Sequence, residues 1–160
     1  MSAFTLFHVV LSLVGIGSGF VVVFGLLLGQ GLPVWTATSL PTTVLTSVTG
    51  FLFPVHHFMP SHGVGIVSLI VLALAIYALY VNRLAGGWRR FYVIDAVIAL
   101  DLNFFVLIVQ LFEKVPALKV RAPTQSEAPF KVAQRAASVA FTMPAVFATR
   151  RFRSERLRTA

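Results

Sequence analysis

The sequence predicts an all-α integral membrane protein, four transmembrane helices in an up-down bundle. Three observations carry that expectation. The chain of 160 residues is 58% hydrophobic and only 11% charged, whereas a soluble domain carries roughly 25% charged residues. The deficit is concentrated: no Asp, Glu, Lys or Arg occurs between Met1 and Asn82, and the first charged side chain is Arg83. A fold in water could not leave that stretch uncharged without exposing large apolar patches. Finally, apolar windows of about 20 residues, the length of a spanning helix, recur along the chain.

The first window is residues 4–28, with Gly15, Gly17, Gly19 and Gly25 suited to close helix packing. It lacks a basic n-region and is longer than the apolar core of a signal peptide, so it reads as a span. The second is residues 62–82, with Pro60 ahead of it and Ser61 as its expected N-cap. The third is residues 91–112, interrupted by Asp95, Asp101, Asn103 and Gln110. The fourth, residues 130–149, has Lys131 and Arg135 in its first turns and Pro144 in its middle. Basic side chains can snorkel to the interface, and proline is tolerated in membrane helices. A basic tail, residues 150–160, follows, and the whole reads as one domain.

Four spans place Arg83, Arg89 and Arg90 on the same side as Arg150, Arg151, Arg153, Arg156 and Arg158. Lys114, Lys119, Arg121 and Lys131 fall opposite, beside Glu113 and Glu127. The positive-inside rule then predicts that both termini are cytoplasmic. Tyr77, Tyr80, Trp88 and Tyr92 fall near that cytoplasmic interface. In the external loop 29–61, Ser39, Thr42, Thr43, Thr46 and Thr49 recur at helical spacing opposite Val44, Leu45, Val48 and Leu52. This predicts a short amphipathic helix on the outer face, or a re-entrant segment. The net charge of +8 flanks apolar segments, as beside anionic lipid, with no basic face interleaved with base-stacking aromatics. The expected partners are therefore the lipid bilayer and a membrane protein or second copy, not nucleic acid.

Without cysteine there is no disulfide, thiolate metal site or Cys nucleophile. The densest set of ligating side chains is His56, His57, Met59 and His62. Imidazole and thioether suit copper, and imidazole alone suits zinc or haem iron. Interfacial histidines bonded to water or backbone are the plain alternative. His8, near the start of the first helix, falls on the opposite side of the bilayer from that cluster. Two histidines from different helices then share no depth, which disfavours a bis-His haem within one chain.

On the third helix, Asp95, Asn103 and Gln110 share one sector of roughly 80°, and Asp101 points elsewhere. Asp101 lies near mid-depth, where an ionised carboxylate is costly. Ser18 and Thr142 have comparable depth and are its expected hydrogen-bond partners. The acid is either structural glue between helices or a site for protons or cations. Gly15-x-x-x-Gly19 and Gly25-x-x-x-Gly29 are small-residue pairs that let helices approach. There is no phosphate-cradling loop, supported Ser/His/Asp order or paired carboxylate set.

Two stretches, Thr43 to Pro54 and Val109 through Ala122-Pro-Thr-Gln-Ser-Glu to Pro129, resemble a set of small four-helix bacterial inner-membrane proteins of uncharacterised activity. The similarity covers most of the chain. It implies a bacterial inner membrane and transfers no catalytic residue. The residues thus leave three readings: a non-enzymatic accessory, assembly or scaffolding subunit; an externally facing copper or haem-associated redox module; and an oligomeric transporter using Asp101.

Overall fold

The computed structural model describes residues 3–53 and 60–151. The described chain is helical, with no strand among the described residues. The helices are α1 (Ala3–Leu27), α2 (Pro33–Gly50), α3 (Pro60–Ile76), α4 (Trp88–Lys114), α5 (Pro116–Lys119) and α6 (Ala128–Arg151). One π-helical turn, Tyr77–Val81, prolongs α3. Three segments are long and apolar enough to cross a membrane: Ala3–Leu27, His62–Val81 and Trp88–Lys114. α6 forms over the fourth predicted window but is more polar, with Lys131, Arg135 and Arg150 all exposed. α3 starts at Pro60, so Ser61 lies within the first turn rather than capping it.

The main departure from expectation is α2. The polar spacing does form a helix, and that helix packs within the bundle against α1 and α3. Its 18 residues span ~27 Å and run antiparallel to α1 along the bundle. Gly25 faces Leu32 near one end, Gly15 faces Thr43 midway, and His8 bonds Thr49 near the other. Pro33 sits at the helix start, where its missing N–H leaves no carbonyl unsatisfied. The threonines solve their own polarity. Thr38, Thr42, Thr46 and Thr49 each donate to the carbonyl four residues back, at 3.0, 2.7, 2.8 and 2.7 Å. A hydroxyl bonded this way can enter an apolar interior without an orphaned donor.

The turn into α2 depends on Gly29. Its φ is +75°, which favours glycine. Gln30 N donates to Gly25 O at 2.8 Å and Gly29 N to Leu26 O at 3.1 Å. This is the Schellman pattern that satisfies the last carbonyls of α1. Gly29 therefore ends a helix rather than joining Gly25 in a packing pair.

α1, α2, α3 and α4 pack as a ring of neighbours, closed by α1 against α4, and α6 lies outside on α4 and α1. One core layer joins Val22, Leu26, Leu40, Leu72, Tyr92 and Val93. A second joins Ile16, Val23, Val97, Leu100 and Phe141 under α6. A third holds Phe112 edge-on to Phe130 at 5.4 Å. Outside, the surface is densely apolar, including Phe7, Phe24, Ile70, Phe91, Val139 and Phe147.

The extra crossing changes the ends. The histidine end gathers Phe4, His8, Thr49 and Phe53, with Phe51 stacked on His62 at 5.6 Å. The arginine end gathers Tyr77 against Trp88, and Gly86, Arg89 and Arg90 beside Thr149. The start of α1 and the end of α6 thus lie at opposite ends of the bundle. The expected four crossings would have put them at one end. The difference is α2, which carries the chain back once more before α3 begins.

Candidate functional site

A polar seam runs inside this apolar bundle, and α2 supplies most of it. Thr36, Thr43, Thr46 and Thr49 are buried, whereas Val34 is 74% and Leu45 47% exposed. The helix is inside-out compared with one from a water-soluble protein. α2 and α4 stand across the ring from each other, and side chains bridge them. Asn103 Nδ2 donates to Thr43 Oγ1 at 3.2 Å. The Thr36 and Tyr92 hydroxyls are 3.4 Å apart. Between these bridges lies a cavity of about 20 Å³, lined by Gly15, Gly19, Ser39, Thr43, Tyr92 and Leu100 among others. That is room for about one water, which needs ≳10–15 Å³ and at least two polar partners. Ser47 and Ser68, 3.2 Å apart, extend the seam to α3. His8 Nδ1 and Thr49 Oγ1, 2.8 Å apart, carry it to the histidine end.

Gly15 and Gly19 make the seam possible. A Cβ on Gly15 would lie 3.2 Å from Thr43 Oγ1, and one on Gly19 would lie 2.9 Å from Leu100 Cδ1. The predicted small-residue face of α1 therefore receives α2 and α4 of the same chain. A Cβ on Gly25 would meet Leu32 at 2.6 Å.

Of the predicted sector on α4, Asp95 and Asn103 are buried and Gln110 is exposed. The sector is interior only where α1, α2 and α3 surround it. Asp101 is half-buried and lies on the α6 side, off the cavity. Its expected partners are not the ones it meets. Ser18 donates to its own helix, to Val14 O at 2.6 Å, and Thr142 donates to Ser138 O at 2.8 Å. The Ser138 hydroxyl instead faces Asp101 Oδ2 at 3.5 Å, a weak contact. Helix α6 packs about one helical turn away from the depth match read along the sequence.

His56, His57 and Met59 lie outside the described residues. Among the described residues no three His, Asp or Glu side chains gather to hold a metal. His8 and His62 do not lie at opposite ends of the bundle, as four crossings required, but share the histidine end. The depth argument against pairing them for haem is thereby removed. His8 is however engaged by Thr49 and sits edge-on to Phe53 at 5.1 Å.

Sequence reading missed Thr36, and it placed Tyr92, Arg89 and Arg90 at an interface without the seam contact and the cleft that they form. The 3–4-residue spacing of Thr36, Ser39, Thr43, Thr46 and Thr49 was the available signal for the first. Comparison with known proteins finds no matching family model, no similar curated protein and no similar solved structure.

Proposed function

We propose that this chain is a non-enzymatic integral membrane protein, an accessory or scaffolding subunit that packs against a further helix through α4 and α6. Asp101 carries the reading. It is the middle residue of the 27-residue α4, yet it is only half-buried, and among the described residues its polar contact is the weak one to Ser138. Ser138 and Thr142 beside it are exposed. Polar groups facing hydrocarbon at that depth cost several kcal/mol unless another helix covers them. The resemblance noted above supports a bacterial inner membrane. The positive-inside rule supports a cytoplasmic arginine end, and with it a cytoplasmic end of α6 and an external start of α1.

The chain has no cysteine, so single-cysteine crosslinking is clean. Thr142→Cys should crosslink to a neighbouring chain in native membranes, and Val34→Cys on the far side of the bundle should not. Equal crosslinking at both positions, or none at Thr142→Cys, would remove the proposal.

A further inference from the structure

The loop between α3 and α4 carries two adjacent non-glycine residues of positive φ. The π-helical turn precedes it, and Asn82 N closes that turn on Tyr77 O at 3.1 Å. Arg83, Leu84 and Gly86 then hold φ of +48°, +57° and +54°. Left-handed conformations at two non-glycine residues are costly and persist only where the surroundings impose them. The loop delivers Gly86 and Gly87 to the start of α4, whose first turn carries Trp88, Arg89 and Arg90. With Thr149 of α6 these residues line an open cleft of about 310 Å³, within the range of small-molecule sites. Arg150 is exposed next to Thr149. No acidic residue occupies the first turn of α4, so the arginines add to the positive end of the helix dipole instead of offsetting it.

The surroundings describe the ligand. Trp88, packed on Tyr77 at 5.4 Å and on Phe91 at 5.7 Å, stands beside the cleft, as aromatic side chains do at headgroup depth. Toward the bundle centre, Phe91 and Ile94 on α4 and Val146 and Phe147 on α6 are all exposed. A cationic cleft thus opens onto an apolar surface shared by the same two helices. A free inorganic anion would use only the first of these features. An anionic amphiphile uses both, with its phosphate at the arginines and the adjoining part of its acyl chains on Phe91, Ile94, Val146 and Phe147, short of the Asp101–Thr142 stretch left to the further helix.

The geometry points to a site for one anionic phospholipid at the arginine end, its phosphate held by Arg89 and Arg90 in the cleft between α4 and α6. The inference rests on the membrane reading above, and extraction of the full chain with alkaline carbonate tests that reading separately. A chain released as soluble protein would overturn both proposals. With the chain retained in the membrane, native mass spectrometry from mild detergent tests the site. The wild-type chain should keep a single phosphatidylglycerol and should not keep phosphatidylcholine. The double variant Arg89→Gln/Arg90→Gln should weaken phosphatidylglycerol retention about 25-fold, roughly fivefold for each arginine. Arg83→Gln removes charge from the same end without touching the cleft, and should change retention less than twofold. Millimolar inorganic phosphate should not displace the lipid. Equal retention of both lipids, an Arg83→Gln effect as large as that of Arg90→Gln, or displacement by phosphate would each overturn the assignment. A lipid complex unchanged in the double variant, with its elution in detergent normal, would do the same.

Discussion

At the scale of single residues, the interior is governed by hydroxyl groups that satisfy themselves. A threonine bonded to the carbonyl one turn back needs no partner, so α2 can turn that face inward. Thr43 differs from its neighbours because Asn103, from across the bundle, donates to it. Replacing Thr43 by valine keeps the shape and leaves the Asn103 amide short of an acceptor. Hydrogen bonds between membrane helices average about 0.6 kcal/mol and reach about 1.7 kcal/mol. Thr43→Val should therefore cost about 1 kcal/mol in reversible unfolding by denaturing detergent. Adding Asn103→Leu should cost less than the sum of the two single changes. Strict additivity in that double-mutant cycle would show that the pair does not interact. Outside the bundle, Glu127 shows the same chemistry in a polar turn. Desolvation pushes its carboxyl up, but hydrogen bonds from the Thr124 hydroxyl and from the backbone of Glu127, Thr124 and Ser126 together outweigh that and hold it below the usual glutamate value.

At the scale of elements, the glycines divide by task. Gly15, Gly19 and Gly25 lie where α1 is approached closely, Gly29 ends the helix with positive φ, and a Cβ on Gly17 would meet nothing within 4 Å. Gly29→Ala should destabilise by about 1–2 kcal/mol, the cost of a left-handed conformation for a residue with a Cβ. Gly17→Ala should be neutral or stabilising by up to about 1 kcal/mol, because alanine is the better helix former. The same unfolding measurement compares them, and a more harmful Gly17→Ala would contradict the packing described for α1. The glycine spacing showed that α1 is closely approached. It did not show that the approaching element was the Thr-rich segment, because that segment is too polar to count as a span.

At the scale of the whole molecule, the packing of α2 decides at which end of the bundle each later helix begins. Counting apolar windows gave four crossings and put both termini on one side. The described fold adds α2, which separates the start of α1 from the end of α6. Reporter fusions at the two termini should accordingly give opposite signals, cytoplasmic at the C-terminus and external at the N-terminus. Matching signals would mean that α2 does not cross with its neighbours in the membrane. The same crossing brings His8 to the end where His62 lies, so any test of metal or haem binding should treat the two histidines together.

Composition and charge by themselves determined the helical class, the three helices long and apolar enough to cross a membrane, the small-residue face of α1, and which loops carry the arginines. These are local properties: run length, spacing and charge are fully present in the chain. The sequence also showed that Asp95 and Asn103 share a face of α4. Only the tertiary structure decided which way α2 turns. Its alternation of threonine with valine and leucine is symmetric to inspection, and a polar face is equally at home in water or against other helices. Burial against Gly15 and the bond from Asn103 settle it inward. The partners of Asp101 and the cleft between Arg90 and Thr149 likewise depend on helix register, which is set by packing between segments far apart in the chain.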